Sequence, residues 1–439
     1  MSKETHLYFT DLSREYGDVV SFYLGNRLTV VLSSPATIRE AYRKTEFSGR
    51  PRNYLVKLYN PLFTGIVDAS YSTTWKKHRH FAVKSLSAFG LGKSSFEAQI
   101  LAESQHFSNI LAIHPMALDP GDFVVAAISN LICVMVFGHR FEYSDKEFQS
   151  ILHSLRETFS SLVGDRSRDY IPLLRLVPNK FVTKHVTLFE EVKTYIRRQI
   201  EEHKRTGKPG EARDYIDAFL TEMDTAKRTD FTENWLVNVV FDFFAAGTET
   251  TATALRWTFL YLAKYPEVQE RVLGEIREVL ADGQAPQYED LKRMPFTDAV
   301  MCEILRLCSV APLALVHSAT EEGTIGGFHV PNGTDIYLNL WAMHHDERLW
   351  NEPMEFRPER FLGMDGQCRK DFEAYLPFGT GHRGCMGEQL AKMEFFIFLV
   401  TTIRTFSVTF PIGLKPDPIE GTYKLVYEPK TYDLLIQKR

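Results

Sequence analysis

The chain has 439 residues, 44% hydrophobic and 13% aromatic, with a formal net charge of −5. Composition and length alone suggest two or three domains, and charges of both signs mixed throughout argue against nucleic acid as a partner. Five scattered cysteines, at 133, 302, 308, 368 and 385, suit a reducing compartment better than a disulfide framework, and no run approaches the roughly 18 apolar residues that a membrane-spanning helix needs.

In chain order, Asp18 to Leu32 reads as two β-rich runs joined at Gly25-Asn26, a hairpin signal. From about residue 35 to 310 the pattern is largely helical, with breaks at Pro51, Pro61, Pro120, Gly164, Pro172, Pro178 and the charged stretch Lys204 to Arg213. Trp75-Lys-Lys-His-Arg79 places Trp75 and Arg79 one helical turn apart; its plainest reading is a basic surface helix. Tyr170 to Pro178, followed by Phe181 and Val182, is apolar, proline-punctuated and set between two helical runs, as ordinary core would be.

Thr232-Glu-Asn-Trp opens a helical run that continues to Tyr265 and stops at Pro266, about 50 Å at the usual rise per residue. Its middle, Ala245-Ala-Gly-Thr-Glu-Thr-Thr-Ala-Thr253, is poor helix sequence, glycine alone costing about 1 kcal/mol relative to alanine. Either a second element crosses closely there or the residues are kept for chemistry. Glu303-Ile-Leu-Arg306 sets opposite charges three residues apart on one helix face, which in solvent contributes only a few tenths of about 1 kcal/mol. Beyond residue 312 the chain turns β-like, in Gly327 to Pro331 and in Asp335 to Trp341, and the last thirty or so residues are expected to add strands. Pro331-Asn-Gly333 reads as a turn in preference to a glycosylation acceptor at Asn332. His344-His345, read as neighbours on a strand, point to opposite faces and are rejected as a metal pair.

The most specific feature is Phe378-Gly-Thr-Gly-His-Arg-Gly-Cys-Met-Gly387, one cysteine in a glycine-rich turn directly before the apolar helical run Glu388 to Val400. The helix dipole favours an anionic sulfur at Cys385, Arg383 adds a cation, and Gly379, Gly381, Gly384 and Gly387 let the backbone approach a flat cofactor. A phosphate loop would carry a Lys-Ser or Lys-Thr pair. A zinc knuckle at His382 and Cys385 would need a Cys-x-x-Cys partner, and the chain has none. A structural cysteine sits in an apolar periodic segment, as Cys133 does. Cys385 therefore reads as a metal ligand.

Phe378, Gly381, Arg383, Cys385 and Gly387 resemble the haem-binding signature of the cytochrome P450 family, spacing intact. The resemblance implies a mainly α fold with a minor β region, a single catalytic domain over residues 1–439, and haem b between a long central helix and the cysteine-loop helix. It makes Cys385 the iron ligand, whose thiolate favours oxygen–oxygen cleavage. Trp75, Arg79, His317 and Arg383 match the family's contacts to the haem propionates. One departure is that no arginine precedes Gly65-Ile-Val67, where Asn60-Pro-Leu-Phe-Thr64 stands, so that propionate is held differently. Ala246 and Gly247 correspond to residues that leave room for oxygen, while Thr250 and Glu249 correspond to the hydroxyl and acid that deliver protons. Glu303, Arg306 and Arg360, the last within Phe356-Arg-Pro-Glu-Arg-Phe361, match a buried structural cluster. Pocket walls are expected from the loop Leu55 to Phe63, from Phe241, Phe244, Ala245 and Ala246, from Leu313 to Leu315, and from Thr422 and Tyr423.

Lys84 to Lys93 and Arg213 to Glu222 look most like the animal microsomal family 2 branch, and Asn339 to Asp346 is similar to steroid 17α-hydroxylase. The implied reaction inserts one oxygen atom from O2 into an apolar small molecule, a fatty acid, steroid or xenobiotic. Electrons would come from NADPH through a reductase, which Lys76 and Lys77 would face, with cytochrome b5 as a further donor. The implied location is the cytosolic face of the endoplasmic reticulum, with an anchor preceding this sequence and residues 170–182 touching the membrane. A haem-thiolate isomerase or synthase acting on a lipid peroxide, and a haem carrier or gas sensor without turnover, are the alternatives; the intact Glu249-Thr250 pair favours the monooxygenase.

Overall fold

The computed structural model describes residues 4–89, 94–113, 116–162, 167–208, 211–225, 230–414 and 418–439. The end of the Lys84–Lys93 stretch and residues 209–210 of the Lys204–Arg213 break lie outside the described residues, as does position 164. Helix α1 (Thr5–Tyr16) leads into the hairpin that Gly25-Asn26 signals: β1 (Val19–Leu24) pairs antiparallel with β2 (Arg27–Leu32), and Gly25 takes the positive φ of +59°. From residue 35 to 308 the chain is helical: α2 (Pro35–Arg43), α3 (Tyr54–Tyr59), α4 (Thr73–Phe89), α5 (Ser94–Ala112), α6 (Gly121–Phe137), α7 (Lys146–Leu162), α8 (Ser167–Tyr170), α9 (Lys180–Thr206), α10 (Tyr215–Thr225), α11 (Glu233–Lys264), α12 (Pro266–Val279) and α13 (Pro295–Cys308). Short strands follow: β3 (His317–Ser318), β4 (Gly323–Ile325), β5 (Phe328–Val330) and β6 (Asp335–Leu338). β6 lies parallel to β2 and antiparallel to β3, giving a four-stranded sheet in the order β1-β2-β6-β3.

The strand expected to reach Trp341 stops at Leu338. Asn339 accepts the Ala342 N–H at 3.1 Å and caps a short helix, α14 (Leu340–His344). His344 and His345 thus sit at a helix end, which corrects the strand argument made for them. His344 Nδ1 meets Ser309 Oγ at 2.7 Å and its Nε2 accepts from Leu376 N, while His345 bonds the carbonyls of Trp341 and Leu307. The chain ends with α15 (Glu388–Thr405) and the strands β7 (Phe406–Thr409), β8 (Gly421–Tyr423), β9 (Tyr427–Pro429) and β10 (Leu435–Lys438), paired β7 with β10 and β8 with β9.

The architecture is mainly α with a minor β region, and one hydrophobic cluster reaches from Tyr59 to Ile436. At its centre is α11, whose Thr232 cap accepts from Trp235 N and whose end is set by Pro266. Like α6, it is buried on nearly every side, as expected of a helix apolar all round. The two cross at Gly247, where an added Cβ would lie 2.6 Å from Ile132 Cδ1. Gly247 is therefore the small residue of a helix crossing, and it stays half-exposed beside the exposed Ala246. On another side α11 packs against α15, and α9 lies over both α11 and α3.

Ile171, Leu173, Leu176 and Val177 do not form core: they are 49–79% exposed, on and beside a 3-10 turn at Pro172–Leu176. Among the described residues no helix is long and apolar enough to cross a membrane.

Glu394 of α15 is fully buried, and burial holds its carboxyl well above the usual range, opposed only by Thr251 of α11. The Thr251 hydroxyl makes no hydrogen bond of normal geometry to either oxygen. The native state thus keeps a proton that the unfolded chain releases above about pH 4.3, so this group costs stability as pH rises. Glu394→Gln, neutral at every pH, is expected to match wild type near pH 4 and to be the more stable protein at pH 8, read from urea midpoints at the two values.

Candidate active site

The Cys385 turn is closed by its own backbone, Cys385 N donating to Phe378 O at 2.8 Å. Gly379 and Gly381 adopt φ of +65° and +63°, and added Cβ atoms there would lie 2.7 Å from Tyr42 Oη and 2.4 Å from Tyr42 O. The close approach these glycines allow is to α2, correcting the expectation that they serve a flat cofactor. Gly387 differs: its nearest neighbour would be Cys385 Sγ, at 4.0 Å. Gly387 caps α15, so Cys385 stands two residues ahead of the helix cap.

Cys385 is exposed, yet desolvation raises its thiol above the ordinary value, outweighing the Gly387 N–H that bonds the sulfur and the charges of Arg79 and Lys392. Burial thus outweighs the helix N-terminus at this sulfur, and a bound metal would displace its proton. A sulfur that is both accessible and desolvated lines an interior space. Ala246 has the same character, exposed in mid-helix while Ala245, Thr248 and Glu249 are buried.

Helical geometry sorts the neighbours of Ala246, since each residue turns about 100°. Thr250, one turn on, is half-buried and donates to Ala246 O at 2.8 Å. Phe244 lies about 200° round and is 1% exposed, with its ring edge-on to Phe137 of α6, so it is core and no pocket wall. Leu313 is corrected likewise: it packs with Phe9, Val31 and Tyr337. Phe241 stacks on Phe189 of α9 at 4.9 Å, Ala245 is 7% exposed, Leu315 is half-buried, Thr422 is exposed, and Tyr423 lies 5.1 Å from the His6 ring.

Glu249, about 100° round the helix from Thr250, turns toward α7. Its Oε1 lacks a hydrogen bond and lies 3.7 Å from Arg156 Nε on α7. Burial raises its carboxyl; Arg156, then Arg256 and Lys424, oppose this, and Glu428 adds to it. Arg156 also bonds Asp122 Oδ1 and, at 3.2 Å, Gly121 O at the start of α6. Asp122 is 86% exposed, so a chain of charged groups leads from Glu249 to the surface.

Four cationic or basic side chains converge beside the Cys385 turn. Arg79 donates to Gly384 O at 2.5 Å. Arg383 donates to the carbonyls of Ser48, Ile66 and Ala69, and Arg50 to those of Val67, Leu315 and Val316. His317 bonds Phe47 O at 2.8 Å through Nδ1 and feels Arg50 and Arg383. Desolvation and then the neighbouring arginines pull Arg383 down to about 8, and desolvation pulls Arg50 to about 10. Among the described residues no carboxylate forms an ion pair with Arg50, Arg79 or Arg383. Trp75 is buried and its indole N–H donates to Ile66 O at 3.0 Å, in place of the propionate expected for it. Its ring is instead a platform under Arg383 and Arg79, 4.1 and 5.5 Å from its centre.

Arg50, Tyr42 and Arg156 escape a reading of the sequence. For Arg50 a signal exists: an arginine before Pro51 is held extended, directly after the buried run Phe47-Ser-Gly49. A further missed residue, Asp242, accepts Ile66 N at 2.6 Å and Val67 N at 3.0 Å and so clasps the loop before α4 to α11.

Half-buried guanidiniums gathered without an ion-paired carboxylate suit an anionic ligand. An iron porphyrin brings two carboxylates for the guanidiniums and an iron for the sulfur, and the residues present fit it.

Outside the Cys385 turn the likeness to known proteins is just as extensive. The family described as Cytochrome P450 matches residues 1–436. Cytochrome P450 2U1 of Mus musculus is 35% identical over 443 residues, covering 99% of this chain and 83% of the relative. Cytochrome P450 2J3 of Rattus norvegicus is 38% identical over 426 residues, covering 94% and 83%, and cytochrome P450 2J2 of Homo sapiens is 36% identical over 440 residues, covering 95% and 86%. With the cysteine turn, the central helix and this match running the length of the sequence, the chain belongs to the cytochrome P450 family, the haem-thiolate monooxygenases.

Proposed function

We propose that this monooxygenase inserts one oxygen atom from O2 into an apolar small molecule, a fatty acid, steroid or xenobiotic, as one catalytic unit supplied with electrons from NADPH by a reductase. Bound haem supplies oxygen activation at its iron, which thiolate ligation favours. Cys385 Sγ holds the iron, and the turn closed by Phe378, with Gly381 against Tyr42 and Gly387 as cap, fixes where that sulfur stands. Arg79, Arg383 and His317 hold the propionates. Arg50 takes the place of the arginine missing before Gly65, a reading supported by its bond to Val67 O within the same cluster. Ala246 leaves space over the site, the Thr250 hydroxyl orients the reacting oxygen, and Glu249 passes protons inward from the Arg156–Asp122 side.

Apolar residues such as Phe241, Ala245 and Leu315 suit a substrate held by shape. Lys76, exposed on α4, offers positive charge to an acidic reductase, with Lys77 beside it already paired with Asp230 and cytochrome b5 as a second donor. Exposed Ile171, Leu173, Leu176 and Val177 make an apolar ridge that supports contact with the endoplasmic reticulum membrane from its cytosolic face.

The observation that carries this reading is an accessible yet desolvated Cys385 beside guanidiniums that have no ion-paired carboxylate among the described residues. The test is the visible spectrum of the reduced, carbon monoxide-bound protein beside that of Cys385→Ser. Wild type is expected to show the strongly red-shifted Soret band of a thiolate-ligated haem and the variant to lose it. An ordinary histidine-like spectrum in wild type overturns the reading.

A further inference from the structure

Cys302 and Cys368, 66 positions apart in the chain, stand 4.0 Å apart from sulfur to sulfur. Asp298, one turn before Cys302 on α13, turns its Oδ1 to within 4.0 Å of Cys302 Sγ. One carboxylate oxygen and the two sulfurs all lie within 4.8 Å of one another. Two sulfurs bound to one tetrahedral zinc at about 2.3 Å are separated by about 3.8 Å, whereas a disulfide needs about 2.05 Å. The observed 4.0 Å is too long for a disulfide and, while also the contact distance of two thiols, is close to that of two ligands of a common ion.

The surroundings hold these atoms in place. Cys302 is 4% exposed on a buried helix. Cys368 is half-buried and pairs with Leu362 in an isolated β-bridge, while Arg369 N donates to Phe361 O at 2.7 Å. The second oxygen of Asp298 is fixed by Lys370 Nζ at 2.7 Å, the outer partner that orients a ligating carboxylate. Two thiolates and a carboxylate gathered round one ion would carry more negative charge than Lys370 alone offsets, and a divalent cation would supply the rest.

We propose that Asp298, Cys302 and Cys368 form a binding site for a thiophilic divalent cation of the zinc class, with water as its fourth ligand. Each thiol gives its proton to solvent as its sulfur–metal bond forms, so two protons leave per ion bound. The site shares no residue with the Cys385 turn, and it joins α13 to the segment leading toward that turn. The sequence hides it, having no Cys-x-x-Cys pair, because one ligand comes from a loop far from the other two.

The haem-loaded protein would be equilibrated with zinc chloride under reducing conditions, dialysed, and analysed for zinc against iron by elemental mass spectrometry. About one zinc per iron is expected in wild type, none in Cys302→Ala or Cys368→Ala, and at least about tenfold weaker retention in Asp298→Asn. On wild type alone, zinc is expected to slow iodoacetamide labelling of Cys302 and Cys368, read by peptide mass spectrometry, so variants that fail to fold do not decide the question. Zinc retention unchanged in both cysteine variants, unchanged labelling, or a Cys302–Cys368 disulfide in wild type overturns the proposal. Neither readout uses turnover, so its failure is separate from any failure of the monooxygenase reading.

Discussion

Glu303→Gln is expected to lose about 3–5 kcal/mol of stability and to be recovered with little haem. The Glu303 carboxylate is fully buried and accepts four donors: Arg306 Nε and Nη2 at 2.8 and 2.9 Å, Arg360 Nε at 3.0 Å and Arg357 N at 2.9 Å. The two guanidiniums cannot turn elsewhere, since their other N–H groups are held by the carbonyls of His344, Pro353, Asn351, Glu352 and Glu355. A glutamine keeps the shape, removes the charge and points an N–H at donors, leaving two buried cations without a counter-ion. Chemical denaturation read by circular dichroism, with haem counted per chain, measures both effects. Arg357→Ala is the control. Its side chain is 44% exposed and pairs with Glu352 at the surface, so its removal is expected to cost no more than about 1 kcal/mol. Equal losses in the two variants would refute the buried network as the cause.

Glu249→Gln is expected to lower product formation about 10²-fold or more while haem loading and the carbon monoxide spectrum stay as in wild type. The carboxyl is 4% exposed and raised by burial; Arg156 is the strongest charge opposing that, with Arg256 and Lys424 behind it and Glu428 acting the other way. A group held above its ordinary pKa keeps its proton into less acidic solution and loses it as pH rises through the raised value. The yield of product per NADPH should therefore fall on the alkaline side of its pH profile. In Arg156→Gln, with the main opposing charge gone, that fall should move to higher pH. A profile unmoved by Arg156→Gln, or a Glu249→Gln enzyme with wild-type yield, would show that protons reach the site by another path.

Elements set by local rules were legible in the sequence. The Gly25-Asn26 hairpin, the cap and stop of α11, and the cysteine turn before α15 each depend on residues a few positions apart, and they stand where the sequence puts them. Misreadings arose where a distant partner decides. Gly379 and Gly381 look like room for a flat cofactor until Tyr42 of α2 stands where their Cβ atoms would be. Phe244 and Leu313 are apolar residues beside the site in sequence, but their directions on the chain point them into core. His344 and His345 lie on a helix because Asn339 caps it. Arg50, Arg156 and Asp242 take their roles from elements far along the chain, so no spacing announces them. Glu303, Arg306 and Arg360 were found only through the family resemblance, because an ion pair three residues apart is by itself uninformative.

The anchoring of Arg50 and Arg383 also bears on biogenesis. Between them they grip the segments around Ser48, Ile66–Ala69 and Leu315–Val316, so the cations that would receive the cofactor are the ones fastening the walls around it. Before the cofactor arrives, their mutual repulsion works against that fastening, and its two carboxylates relieve it. Tightening of these walls would then be coupled to cofactor uptake, because the same guanidiniums serve both.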